Sequence, residues 1–103
     1  MRVGIDLVSI RRVERLLSST EECARLFTDA EMRSLHNDTK RAGGYLAVKE
    51  AYCKAIGKKI DWLLLEVCHE ESGAPFLRVG DDTITSVSIS HDGEYATAVV
   101  LLT

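Results

Sequence analysis

Asp6 sits in an apolar run, Val3-Gly4-Ile5-Asp6-Leu7-Val8. A carboxylate in such surroundings must be paired, hydrogen-bonded or bound to a cation. A partner arginine would serve as well as a metal. Glu50 and Lys54 stand four apart on a predicted helix, so their side chains are neighbours. Their plainest role is an exposed ion pair, worth about 0.3–0.5 kcal/mol. If Asp6 and Glu50 instead converge, the site is all-oxygen. That suits a hard cation such as magnesium, which proteins hold with one or two carboxylates plus substrate phosphates. His91 ends the run Ser88-Ile89-Ser90-His91-Asp92-Gly93. A histidine at a strand end beside an aspartate can meet a phosphate or move a proton, or it can simply cap a turn. Three common chemistries lack their motifs: the phosphate loop GxxxxGK[ST], the dinucleotide fingerprint GxGxxG and the nucleophile elbow GxSxG.

Charge narrows the partners. The formal net charge is -3, which excludes a generic basic nucleic-acid binder. Cations nevertheless cluster at Arg11, Arg12 and Arg15, and again at Lys54, Lys58 and Lys59. A cationic patch on an acidic protein suits an acidic partner or a phosphate-bearing ligand. Cys23, Cys53 and Cys68 are odd in number and contain no CxxC. Free thiols in a reducing cytoplasm account for them most simply. The apolar N-terminal run is too short for a signal peptide, and Ala96 to Leu102 is too short to span a membrane.

The elements that position these groups follow from periodicity and punctuation. With 103 residues, the chain makes one predicted domain, 1–103. Residues 2–8 read as a strand. Ser9 is a plausible N-cap for an amphipathic helix over 10–19, and 21–27 forms a further helical turn. Thr28-Asp29-Ala30-Glu31 has the form of a capping box, opening a short helix to about His36. Asn37 to Gly44 is polar and ends in two glycines, which predicts a loop. Val48, Ala51, Tyr52, Ala55 and Ile56 then form one apolar stripe on a helix over 45–57, with Gly57 as C-cap. Residues 62–69 and 74–79 read as a hairpin, and 84–91 as an alternating strand. Asp92-Gly93 is a hairpin turn signal. Tyr95 to Leu102 is apolar on both faces, which predicts a central, fully covered strand. The expected class is α+β, with helices packed on one side of a mostly antiparallel β-sheet.

Five segments in order resemble the holo-(acyl-carrier-protein) synthase family of 4′-phosphopantetheinyl transferases. They are Gly4-Ile5-Asp6, Leu26-Phe27-Thr28-Asp29-Ala30-Glu31, Leu46-Ala47-Val48-Lys49-Glu50-Ala51-Tyr52-Cys53-Lys54-Ala55-Ile56-Gly57, Ser72-Gly73-Ala74-Pro75-Phe76-Leu77 and Val87-Ser88-Ile89-Ser90-His91. Tyr45-Leu46 stand where the family pattern has arginine-phenylalanine. The resemblance implies the phosphopantetheinyl transferase-like fold. It also implies transfer of the phosphopantetheine arm of coenzyme A to a serine of an apo acyl carrier protein, releasing adenosine 3′,5′-bisphosphate. By that resemblance Asp6 and Glu50 hold Mg2+ on the pyrophosphate, and Lys54 meets a phosphate. His91 meets coenzyme A at its 3′-phosphate, and Lys49 joins the coenzyme A contacts. Glu50 through a water, or Asp92, deprotonates the serine. Arg11, Arg12 and Arg15 grip the acidic carrier. The resemblance implies a homotrimer with sites between subunits. The alternative is an impaired member that binds coenzyme A or carrier without transfer, and a purely structural domain is a third reading.

Overall fold

The computed structural model describes residues 1–103. In chain order the elements are β1 (Arg2–Ser9), α1 (Ile10–Leu17), α2 (Thr20–Leu26), α3 (Asp29–Leu35) and α4 (Thr39–Ile56), then a 3-10 turn at Trp62–Leu64. They continue with β2 (Leu65–His69), β3 (Pro75–Val79), β4 (Asp82–Ile84), β5 (Val87–Asp92) and β6 (Tyr95–Leu102). The strands form two antiparallel three-stranded sheets, ordered β1-β6-β5 and β2-β3-β4. The α+β class therefore holds, with two sheets where one was expected.

Helix α4 packs mainly on β1 and β6. Its approach depends on Gly4. A Cβ at Gly4 would lie 1.8 Å from the Ala51 carbonyl oxygen and 2.9 Å from the Ala55 nitrogen. No side chain fits there, so only glycine lets strand and helix backbones meet. Side chains alternate along a strand, so Asp6 shares the helix-facing side of β1 with Gly4 and Val8. The Gly4-Ile5-Asp6 spacing thus delivers a carboxylate to α4 beside a contact that admits no Cβ.

The predicted loop over 37–44 is a correction. Helix α4 starts at Thr39, capped by Asp38, whose Oδ1 accepts from the backbone N–H of Lys40 (3.0 Å) and Arg41 (3.3 Å). Glycine in a helix costs roughly 0.5–1 kcal/mol, which is why Gly43-Gly44 reads as a breaker. Here both serve packing. A Cβ at Gly43 would be 2.9 Å from Ile10 Cδ1, and one at Gly44 would be 2.9 Å from Ile89 Cγ2. Other boundaries shift for local reasons. Helix α1 stops at Leu17 because Ser18 and Ser19 bond locally: Ser18 donates to the Arg15 carbonyl and Ser19 caps α2. The predicted strand 84–91 is divided, since β4 pairs with β3 and β5 with β6. The chain changes sheets at Thr85-Ser86, which alternation alone does not reveal. The first turn of predicted strand 62–69 is 3-10, capped by Asp61.

Strand β6 is central, as expected, but it is covered on one face. Ala96, Ala98 and Val100 are buried, whereas Thr97, Val99 and Leu101 are half-buried. On the same outer face of the sheet, Val3, Ile5 and Leu7 are 62%, 63% and 64% exposed.

Candidate active site

Asp6, Arg12 and Glu50 line one cleft of about 310 Å³, whose walls include Leu16, Leu26 and Leu46. They arrive from β1, α1 and α4. The Asp6 carboxyl is mostly enclosed, with its side chain 15% exposed. Lys54 Nζ donates to Asp6 Oδ1 at 3.0 Å and to the Ile5 carbonyl at 2.9 Å. Lys54 therefore pairs across elements with Asp6, and no Glu50–Lys54 ion pair forms. The cleft is lined by three carboxylates, Asp6, Glu22 and Glu50, and one guanidinium, with the accessible Lys54 ammonium on Asp6 and Glu22 paired with Arg25. Nowhere do three or more His, Cys, Asp or Glu side chains gather as a metal cage. Two oxygen ligands nevertheless fit a hard cation that completes its shell with phosphate and water. The Lys54 ammonium already sits on Asp6 Oδ1, so a cation at Asp6 would share the carboxylate with it or displace it.

Lys49 is corrected. It is 0% exposed, and its ammonium donates to Glu31 Oε1 (2.6 Å), the Leu26 carbonyl (2.8 Å) and the Trp62 carbonyl (3.1 Å). An ammonium has three donors, and all three are spent. None remains for coenzyme A. Burial pulls the Lys49 pKa below the ordinary lysine value, while Glu31 pulls the other way. Glu31 in turn accepts from Thr28 N–H in the capping box (2.9 Å) and from Val67 N–H (2.8 Å). The pair ties α3, α4 and β2 together beneath the cleft. Sequence reasoning found both residues without joining them.

His91 belongs to a second cleft of about 550 Å³, bounded by the start of α4, β5 and the β2–β3 turn. Lys40, Arg41 and His69 share it, and sequence reasoning assigned none of them. His91 Nε2 lies 2.8 Å from the Lys40 carbonyl. A carbonyl only accepts, so Nε2 carries the hydrogen, and Nδ1 donates only when the ring is charged. The His69 pKa is pushed down, first by burial and then by the Arg41 charge. Within one chain the structure does not bring His91 to Asp6 and Glu50. Gly44, beside His91, and Glu50 are six residues apart on α4, about 9 Å along the axis at 1.5 Å per residue.

The remaining predicted residues lie at the surface. Asp92 is exposed opposite Tyr95 in the β5–β6 hairpin, away from the Asp6 cleft. Arg11 makes a loose pair with Glu94 at 3.6 Å, both exposed. Arg15 is exposed on α1, and Arg12 reaches the cleft itself. Of the three arginines, only Arg12 lines the carboxylate cleft.

Residues 2–100 match the family model of the 4′-phosphopantetheinyl transferase superfamily. The chain is similar to a holo-[acyl-carrier-protein] synthase of Bacillus cereus (strain B4264), with 35% identity, covering 97% of this chain and 92% of that protein. Its fold is similar to that of the Helicobacter pylori holo-[acyl-carrier-protein] synthase solved in complex with coenzyme A. That likeness has a TM-score of 0.87 and 26% identity, over 98% of this chain and 99% of the other. It is also similar to the Bacillus anthracis str. Ames holo-(acyl-carrier-protein) synthase in complex with CoA (3′,5′-ADP). There the TM-score is 0.85 at 31% identity, over 96% and 92% of the two chains.

Proposed function

The chain belongs to the 4′-phosphopantetheinyl transferase superfamily, and we propose that it transfers the 4′-phosphopantetheine of coenzyme A to a serine of an apo acyl carrier protein, leaving adenosine 3′,5′-bisphosphate. The single observation that carries this reading is the cleft shared by Asp6 and Glu50, with Lys54 on Asp6. Relatives named as holo-(acyl-carrier-protein) synthases, two of them solved with coenzyme A, supply the substrate class.

Phosphoryl transfer needs positioning and charge neutralisation more than covalent chemistry. Asp6 and Glu50 would hold Mg2+, which when bound neutralises pyrophosphate charge and polarises the phosphorus. Lys54 supplies a mobile ammonium to the phosphate oxygens as negative charge develops. Glu50 lines the cleft and Asp92 does not, which favours Glu50, acting through a water, as the group that takes the serine proton. His91 and its neighbours hold the nucleotide end of coenzyme A. Arg11, Arg12 and Arg15 steer the acidic carrier toward the cleft mouth, raising the encounter rate more than the final affinity.

The reading includes residues 1–103 as one catalytic domain and a homotrimer as the working form. The exposed Val3-Ile5-Leu7 face supports self-association, because a contiguous apolar face of this kind marks an interaction surface. No helix is long and apolar enough to cross a membrane. The three unpaired cysteines suit a reducing cytoplasm.

The test is mass spectrometry of an apo acyl carrier protein incubated with this protein, coenzyme A and Mg2+. The expected result is one added phosphopantetheine group, abolished by chelator and by Asp6→Ala. No addition across several carriers, with coenzyme A still bound, would replace this reading with the impaired one.

A further inference from the structure

The inference rests on the transferase reading above and deepens it. The lining of the carboxylate cleft comes from unequal sources. Asp6, Val8, Leu46 and Glu50 belong to β1 and α4, whose backbones meet at Gly4. Leu26 and Trp62 belong to the end of α2 and to the 3-10 turn, elements of seven and three residues. Helices below about 12–15 residues are marginal on their own in water, so these two hold their place only through tertiary contacts.

One buried group bonds to both. Lys49 Nζ donates to the Leu26 carbonyl at 2.8 Å and to the Trp62 carbonyl at 3.1 Å. The Leu26 carbonyl is among the last four of α2, which have no partner inside their own helix. The ammonium also lies 5.7 Å from the centroid of the Phe27 ring, next in the chain after Leu26. The third donor goes to Glu31. Lys49 and Glu50 are consecutive on α4, about 100° apart around its axis. Lys49 enters the core, and Glu50 lines the cleft. One turn of α4 thus presents Glu50 and tethers two other segments of the same lining. A buried ion pair is a weak source of stability, because desolvation offsets much of the attraction. What the ammonium adds over an apolar side chain is direction, since three donors fix three acceptors. We infer that Lys49 is a positioning residue for phosphopantetheine transfer, setting through the Leu26 and Trp62 carbonyls the width of the cleft in which Asp6 and Glu50 act. It touches neither substrate nor reacting atoms.

Trp62 is the only tryptophan of the chain, so its emission reports on this lining. The experiment uses the double variant Glu31→Gln with Lys49→Met, which leaves no buried charge, well below its melting midpoint. It reads kcat and KM for coenzyme A with an apo acyl carrier protein and Mg2+, and acrylamide quenching of Trp62. The expected kcat is about 10- to 100-fold lower, the scale of a misplacement near 1 Å. KM for coenzyme A should stay near its wild-type value, and quenching should rise. A folded double variant with wild-type kcat would overturn the inference and leave the transferase reading intact. Lost kcat with unchanged quenching would also overturn it, because the lining would not have moved. A rise in KM that matches the loss in kcat would make Lys49 a ligand contact, with the same result. Should the double variant not fold, Lys49→Arg replaces it. Its bulkier head overpacks a fully enclosed site, so lower kcat and altered quenching are expected together, and wild-type values of either would overturn the inference. A wild type that transfers nothing would overturn both readings.

Discussion

Lys49→Met separates the two roles offered for Lys49. Methionine keeps the length of the side chain and removes the ammonium. It would leave Glu31, itself 1% exposed, charged and facing an apolar group. Glu31 would keep the Thr28 and Val67 N–H donors at 2.9 and 2.8 Å and lose its counter-ion at 2.6 Å. The Leu26 and Trp62 carbonyls would each lose a donor. Removing one partner of a buried pair costs about 3–5 kcal/mol. A domain's whole stability is about 5–15 kcal/mol. For a chain near 100 residues each kcal/mol moves the melting midpoint by roughly 4–8 °C, so a drop of roughly 12–40 °C is expected. Calorimetry at fixed protein concentration measures it, since self-association would make the midpoint concentration-dependent. The double variant Glu31→Gln with Lys49→Met is expected to lose less than the sum of the singles, because no uncompensated charge remains. A Lys49→Met protein that melts like the wild type but no longer binds coenzyme A would refute the burial argument and return Lys49 to the ligand.

Three further outcomes follow from particular contacts. Gly44→Ala gains helix propensity of up to about 1 kcal/mol, but its Cβ presses on Ile89 and on His91 Nε2 at 2.9 and 3.3 Å. Since forced overpacking costs about 1–3 kcal/mol, a lower melting midpoint together with weaker coenzyme A binding is expected; a higher midpoint with unchanged binding would contradict the packing role. His69 has a folded pKa below its ordinary value of 6.5, so below 6.5 the unfolded chain binds the proton more readily than the folded one. Stability contributed by this residue rises as pH climbs from the lowered folded value to 6.5, and is lost on acidification through that window. His69→Gln should therefore melt with a shallower acid dependence than the wild type, and parallel profiles would count against it. Cys68 is half-buried, with its thiol pKa raised first by burial and further by Glu66, against the pull of Arg78. Alkylation of the native protein should be slow at neutral pH and accelerate only above the range of an ordinary thiol; rapid modification at pH 7 would show that the thiol is more open than the structure has it.

The legible parts of this fold were those with local causes. Thr28 and Glu31 announce a capping box by spacing alone, and both hydrogen bonds are present. Gly57 ends its helix with φ 76°, as a C-cap glycine should. The β5–β6 hairpin turns at Gly93, with Asp92 opposite Tyr95. What local pattern missed was set by distant neighbours. Gly43 and Gly44 look like helix breakers until Ile10, Ala96 and Ile89 are seen pressing on them. Lys49 stands beside Glu50 in the chain and reads as part of a polar site, while its partner Glu31 lies 18 residues earlier. The Asp6–Glu50 pairing was legible only as a condition, that two carboxylates converge; in the fold both line one cleft, together with Glu22 and Arg12. The grouping of Arg41 with His91 was not, since a helix start and a strand end meet there only in the fold.

Helix α4 carries contacts for both clefts on one uninterrupted rod: Gly44 against His91, and Glu50 and Lys54 toward Asp6. A rod of this kind works as a ruler. Inserting one residue between Gly44 and Glu50 would turn everything beyond it by about 100° and swing the acidic end out of its cleft. Seven residues would nearly restore the facing, but would lengthen the spacing by about 10.5 Å. Gain or loss of chain length inside α4 would break this alignment, and is better borne by connections outside both clefts, such as those after Gly57 and at Thr85-Ser86.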